Sequence, residues 1–78
     1  MDHRIAFRFI EAVNGNSLEV FLDERLSFKE NFEMLKKLLD KDYTKAKIYD
    51  PHKKVFLDRN TALREFEFKG FVSLKLFI

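Results

Sequence analysis

The chain has no cysteine, a single proline and only two glycines among its 78 residues. Without cysteine it can form neither a disulfide nor a thiolate metal site, and this composition suits the reducing cytoplasm, which is the predicted location. No apolar run approaches the roughly 18 to 20 residues that cross a bilayer, and Arg4 and Arg8 interrupt the first apolar stretch, so neither membrane insertion nor a signal peptide is predicted. No linker, repeat or low-complexity tract divides the sequence, which predicts one domain over residues 1–78.

A rich apolar core has to replace the missing disulfides, because a domain of this size buries only about 60% of the surface that its unfolded chain exposes. The sequence is 46% hydrophobic and contains ten phenylalanines, so we expect an aromatic core. The residues predicted to form it are Phe7, Phe9, Val20, Leu22, Phe28, Phe32, Leu35, Ile48, Leu57, Leu63, Val72 and Leu74.

The charges are nearly balanced, with 15 basic and 13 acidic residues and a formal net charge of +2. So small a basic excess is typical of a solvated surface and disfavours nucleic acid as the partner. Several cations nevertheless surround the third and fourth predicted strands, which leaves a nucleic-acid-binding or ribosome-associated domain as the alternative to a protein-binding one. These cations are Lys45, Lys47, Lys53, Lys54 and Arg59.

Two alternating segments, RIAFRFIEA and SLEVFLD, predict a pair of half-buried strands at the start of the chain. The Asn-Gly pair at positions 14 and 15 is a hairpin signal, because both residues tolerate positive φ. A two-residue loop there pairs Phe9 with Val20, and Phe7 with Leu22, so that apolar residues face each other across the strands. A longer loop with an even number of residues keeps the same faces and stays open as an alternative.

The segment SFKENFEMLKKLLDKD predicts an amphipathic helix. Ser27 and Glu30 form an S-x-x-E capping box that satisfies free backbone amides at the helix start. An apolar stripe follows at helical spacing and is expected to pack as core. It consists of Phe28, Phe32, Leu35 and Leu39, with Leu38 beside them.

The rest of the chain predicts three more strands. KAKIYD and KVFLD are joined by a turn at Asp50-Pro51, and NTALREF reads as one helical or 3-10 turn capped by Asn60 or Thr61. The segment FVSLKLFI closes the chain as a strand with four inward residues, Val72, Leu74, Leu76 and Ile78. The order β-β-α-β-β-(short 3-10 turn)-β predicts an α+β fold, in which one helix covers one face of a mixed sheet and the last strand is central.

In this order of elements the chain resembles ubiquitin and its β-grasp relatives over essentially all of its length. The segments LSFKENFEMLKKLL and IYDPHKKVFLDRNTALREF are more similar to the small bacterial proteins of the YukD/EsaB type, which are encoded with the type VII (WXG100) secretion machinery. The resemblance implies a non-catalytic protein-interaction module, with secretion-system components as candidate partners.

Ubiquitin and the sulfur carriers act through a flexible tail ending in Gly-Gly, whose carboxylate is activated and then transferred. Here the corresponding residues are KLFI, which are bulky and belong to a predicted strand. Conjugation is therefore not expected, and proteins of the YukD/EsaB type also lack that tail.

No catalytic, metal or cofactor site is predicted. His3 lies near the first residue and His52 lies in a turn, whereas a metal site needs three or four converging ligands. No G-x-S-x-G elbow or glycine-rich phosphate loop is present. The protein is not expected to be an enzyme.

The predicted working surface is the outer face of the sheet, which is the face opposite the helix. Aromatic and arginine side chains are favoured at the centres of protein interfaces, and several fall on this face. By analogy, ubiquitin-like folds use the same face for partners. The predicted partner-binding residues are Arg8, Tyr49, Lys75 and Phe77, and such a surface also allows weak self-association.

Overall fold

Five strands, one α-helix and one 3-10 helix are found in the computed structural model, which describes residues 2–39 and 41–78. The order and type of the elements are those predicted. The strands are β1 (Arg4–Glu11), β2 (Ser17–Asp23), β3 (Lys47–Asp50), β4 (Val55–Leu57) and β5 (Val72–Phe77). The helix α1 spans Phe28–Leu35, and the 3-10 helix spans Leu63–Phe66.

The strands form one mixed sheet in the order β2-β1-β5-β3-β4. Strand β5 lies in the centre, parallel to β1 and antiparallel to β3, while the other neighbours pair antiparallel. This arrangement confirms the α+β fold and the central position of the last strand. The helix packs on one face, so the other face of the sheet is left open.

The β1–β2 hairpin differs from the two-residue turn. Phe7 lies opposite Val20, and Glu11 and Asn16 close the loop through a 2.8 Å backbone hydrogen bond, so the longer, even-numbered loop is observed. Gly15 has a φ of 73°, whereas Asn14 has a negative φ and therefore cannot form the two-residue type I′ turn. The predicted pairing of Phe9 with Val20 is therefore wrong by two residues, but an even shift leaves every side chain on its predicted face.

The helix begins as predicted and ends sooner. The Ser27 hydroxyl accepts from the amide of Glu30 at 3.1 Å, and the Glu30 carboxylate accepts from the amide of Ser27 at 3.1 Å. After Leu35 the chain makes a turn, in which Leu38 is 79% exposed, so its prediction as part of the core stripe is wrong. Among the described residues, no helix is long and apolar enough to cross a membrane.

The core is aromatic, as predicted. Eight of the twelve predicted residues are at most 1% exposed: Phe7, Phe9, Leu22, Phe28, Phe32, Ile48, Leu63 and Leu74. Four others are half-buried against them: Val20, Leu35, Leu57 and Val72. The core also contains Tyr43, which no periodic pattern indicated, and Leu76, whereas Ile78 is 67% exposed and does not face inward.

The 3-10 helix has a different cap from the predicted one. Its N-cap is Ala62, which makes no side-chain hydrogen bond, instead of Asn60 or Thr61. Backbone carbonyls from the segment before α1 accept the first amides, since the amide of Leu63 donates to Leu26 and that of Arg64 donates to Glu24, both at 2.9 Å. Tertiary pairing therefore satisfies the amides that a capping side chain would otherwise take.

Candidate functional site

The outer face carries one row of side chains that crosses the whole sheet. Register places Ile10 beside Lys75, Lys75 beside Tyr49, and Tyr49 beside Phe56. Ser17, which lies opposite Ile10, completes the row on β2. Residues directly opposite each other share a face, so this row is a continuous surface over the five strands.

An aromatic cluster consists of Tyr49 and Phe56, which form one end of this row, and Phe77, which lies in the neighbouring row. The ring centroids lie 5.0 Å apart for Tyr49 and Phe56, 5.7 Å for Phe56 and Phe77, and 6.2 Å for Tyr49 and Phe77, all edge to face. Phe56 is 58% exposed and Phe77 is 40% exposed. The three rings hold each other in place and still present apolar area to solvent, which is the property of an interface anchor.

Two lysines flank the aromatic cluster. Lys75 lies opposite Tyr49, and Lys47 lies opposite Phe77. Both are exposed, and neither forms an ion pair with the described carboxylates. Their charge is available to an acidic group that approaches the cluster.

Arg8 lies on the outer face but in a neighbouring row. Its guanidinium forms two hydrogen bonds with the Glu19 carboxylate, at 2.8 and 3.1 Å, and stands 5.7 Å from the ring centroid of Phe71. Its neighbour on β5 is Ser73. The structure thus brings Tyr49, Lys75 and Phe77 together, and it gives Arg8 partners of its own.

Phe56 is the residue of this surface that sequence reasoning missed. The signal was present, because Val55 and Leu57 on either side alternate inward in KVFLD and leave Phe56 outward. The pairing of Tyr49 with Phe56 follows from the turn between them. In that turn the Asp50 carboxylate accepts from the amides of His52 at 2.9 Å and Lys53 at 3.3 Å, so the predicted Asp50-Pro51 turn is observed.

The ion pairs among the described residues are confined to the first part of the chain. All five ion pairs found among the described residues join side chains of residues 2–41. One of them, between Arg25 and Asp23 at 2.8 Å, lowers the pKa of the Asp23 carboxyl to about 2, because the guanidinium and the Arg25 amide both donate to it. Residues 45–78 hold eight basic and four acidic side chains, and none of the five ion pairs among the described residues involves them.

A buried polar cluster lies at the end of β1, on the helix side of the sheet. Glu11 is only 5% exposed, and its carboxylate accepts from Lys41 Nζ at 2.9 Å and from the Tyr43 hydroxyl at 3.2 Å. The hydrogen bond from Lys41 is the main cause that lowers the pKa of Glu11, with smaller contributions from Asn14 and Tyr43, and desolvation opposes the shift. These contacts connect the β1–β2 hairpin to the segment between α1 and β3, so the role of the cluster is to stabilise the fold.

The histidines and serines have structural surroundings. His3 Nδ1 lies 3.8 Å from the Glu24 carboxylate, and His52 is exposed in its turn. Ser27 serves as the helix cap. Across residues 2–39 and 41–78, no group of three or more histidine, aspartate or glutamate side chains could hold a metal ion.

No family model matches the chain, and no curated protein matches it. Solved structures do match it. One, reported under the words "Molecular Mimicry of SUMO promotes DNA repair", is 9% identical with a TM-score of 0.77, over 100% of this chain and 95% of that chain. A de novo design based on ubiquitin is 18% identical with a TM-score of 0.70, over 97% and 89%.

The UBL domain of yeast Ddi1 is 14% identical with a TM-score of 0.61, over 97% of this chain and 92% of that domain. Identities this low carry no activity from one protein to another, but the topology matches along the whole chain. The chain therefore has the ubiquitin-like β-grasp fold.

Proposed function

We propose that this protein is a non-catalytic, ubiquitin-like interaction module that binds a protein partner through the outer face of its sheet. The observation that carries the proposal is the aromatic cluster flanked by Lys47 and Lys75. Apolar rings supply contact area at a low rotamer cost, and unpaired lysines steer an acidic partner toward them. Arg8 and Phe71 extend the same face toward β2.

The proposed setting is the cytoplasmic side of a type VII (WXG100) secretion system. The YukD/EsaB resemblance of the helix and of the segment IYDPHKKVFLDRNTALREF supports it. The proposal contains no conjugation step, because Gly15 and Gly70 are isolated and no Gly-Gly pair occurs among the 78 residues. Isopeptide adducts or a thiocarboxylate on Ile78, found by mass spectrometry of the native host, would contradict that part.

The proposed partners are tested by measuring whether purified components of the secretion system bind this protein. The probes are a WXG100 substrate and the cytoplasmic domain of the secretion ATPase, measured by calorimetry against the full chain. The double substitution Tyr49→Ala and Lys75→Ala removes two adjacent members of the row. Truncating a true anchor costs about 2 kcal/mol or more, so we expect the affinity to fall at least thirtyfold.

A matched control lies on the helix. Lys29 on α1 and Lys36 directly after it are both exposed, and Lys29→Glu with Lys36→Glu should leave binding unchanged. If the helix pair abolishes binding while the sheet pair preserves it, the outer face is not the interface. If neither probe binds but RNA does, with an affinity that falls steeply with salt, the nucleic-acid alternative replaces the proposal.

A further inference from the structure

Strand β4 forms one edge of the sheet and is only three residues long. The backbone groups of an edge strand that point away from the sheet have no partner strand, so they can accept another one. Val55 is 46% exposed and Phe56 is 58% exposed, and the strand therefore offers apolar side chains as well as backbone groups.

At the opposite edge of the sheet, several polar groups of β2 have partners within the chain. At its end the amide of Asp23 donates to the side-chain oxygen of Asn31 at 2.8 Å, and the carbonyl of Asp23 accepts from the Asn31 side chain at 3.1 Å. The charged residues Glu19 and Asp23 are paired with arginines of the same chain. The charged residues Glu19 and Asp23 of β2 thus have partners, whereas the cations that flank β4 have none among the described carboxylates.

Cations lie at both ends of β4. Lys53 and Lys54 precede it, and Lys47 and Arg59 line an open groove of about 480 Å³ where β3 begins and β4 ends. None of the four is in an ion pair with a described carboxylate. The acidic residue nearest in sequence, Asp58, accepts instead from the amide of Asn60 at 2.9 Å.

We propose that the free edge of β4 binds an extended acidic segment of a partner protein, which adds a sixth strand to the sheet. The segment has apolar residues at its centre and carboxylates on both sides. Backbone hydrogen bonds to β4 would supply the ladder, and the central side chains would alternate between Phe56 on the outer face and the half-buried Leu57 on the inner face. The flanking carboxylates would meet the two pairs of cations. This site shares Phe56 and Lys47 with the outer-face interface proposed above, but it differs from that interface in using the backbone of the β4 edge and Lys53, Lys54 and Arg59.

The charges around β4 also disfavour the binding of a second copy of this chain at the same edge. Two β4 strands side by side would lie about 4.8 Å apart and would bring Lys53, Lys54 and Arg59 of both copies together. Each copy contributes only Asp58 against them, and like charges opposite each other destabilise a strand pair. An acidic segment removes this repulsion and satisfies the same backbone groups.

The test uses the full chain, labelled with ¹⁵N, and an acetylated peptide of sequence Asp-Asp-Val-Ile-Val-Glu-Glu. Titration should shift the amide signals of residues 53–59 and slow the hydrogen exchange of residues 55–57. Lys53→Glu with Lys54→Glu should weaken the peptide at least about tenfold. The matched control is Lys36→Glu with Lys37→Glu, an adjacent exposed pair of equal charge change that should have less than a threefold effect.

Two N-methylated peptides test the ladder without changing the protein. Methylation of one residue removes an amide that faces β4, and methylation of its neighbour removes one that faces solvent. Only one of the two should lose affinity, by about tenfold. Lys75→Ala alone, which leaves the rings of Tyr49, Phe56 and Phe77 in place, should leave the peptide affinity within twofold, whereas it should weaken a partner bound at the outer face.

Four outcomes would overturn the proposal. These are equal losses in both lysine pairs, shifts confined to the outer-face row, no difference between the two methylated peptides, and protection of residues 55–57 that depends on protein concentration without peptide. The last result would assign the edge to a second copy.

Discussion

Replacing Phe28 by alanine should remove most of the stability of this domain. The ring is fully buried and lies between five others, with centroid distances of 5.6 to 6.4 Å; these are Phe7, Phe9, Phe32, Phe66 and Phe68. A buried Phe→Ala change costs about 3 to 5 kcal/mol, and we expect the upper end because all five neighbouring rings would border the cavity that the missing ring leaves. A chain of 78 residues has a total stability of only about 4 to 12 kcal/mol. We therefore expect the melting temperature to fall by about 20 °C or more in calorimetry.

The same substitution elsewhere supplies the control. Phe21→Ala removes a ring that is 64% exposed on the outer face, so it should change the free energy of unfolding by less than about 0.5 kcal/mol. Position 28 is the first residue of α1, and alanine is a good helix former, so a loss cannot come from helix propensity. Equal melting temperatures for the two variants would refute the view that the stability resides in this aromatic core.

Three further outcomes are expected. Ser27→Ala removes the acceptor for the Glu30 amide and should cost about 1 kcal/mol in urea unfolding; an unchanged midpoint would contradict the role of the capping box. Glu11→Gln removes the carboxylate that accepts from Lys41. Because folding lowers the pKa of Glu11, the ionised carboxylate stabilises the fold fully above the ordinary pKa of 4.5, and this stabilisation is lost as the pH falls through the pKa of the folded state. The difference in melting temperature between this variant and the wild type should thus shrink between pH 6 and pH 3, and a constant difference would contradict the linkage. Gly15→Ala should destabilise by about 1 kcal/mol through its φ of 73° alone, since its Cβ would meet nothing within 4 Å; Asn at the same position, which tolerates this φ, should cost less.

The faces of the strands could be predicted from the sequence because side chains alternate with a period of two. The hairpin loop is longer than the shortest one compatible with Asn-Gly, but its even length leaves Phe7 and Phe9 inside. The length itself depends on the φ angle of Asn14, which no local pattern determines.

The end of α1 and the cap of the 3-10 helix could not be predicted, because no local signal marks the first and a tertiary backbone contact replaces the second. No glycine marks the end of α1. The apolar spacing of the sequence continues past Leu35, whereas the helix ends there. The 3-10 helix begins against the backbone of residues 24–26 and needs no capping side chain. Local sequence signals favour Asn60 or Thr61 for that role.

The sequence predicts which face of the sheet carries the candidate site, but only some of the residues that the structure brings together there. Tyr49, Lys75 and Phe77 share a surface because β5 is central, which the sequence indicated. That Arg8 is already paired with Glu19 depends on the hairpin register, so it could not be seen in advance. The same holds for the cations beside β4, because only the folded chain shows that none of them is paired with a described carboxylate.

The parallel pairing of β1 with β5 has a consequence for how the protein folds. Phe7 lies opposite Val72, and Glu11 lies opposite Leu76, so the centre of the sheet joins segments that nearly the whole chain separates. Contacts of such long sequence separation require a large loop to close before they stabilise anything, and they slow folding. During synthesis the hairpin and the helix are made first and cannot bury Phe7, Phe9 and Phe28 against Leu74 until the last strand has left the ribosome. Until β5 has been made, the growing chain exposes aromatic surface that only the finished sheet can bury.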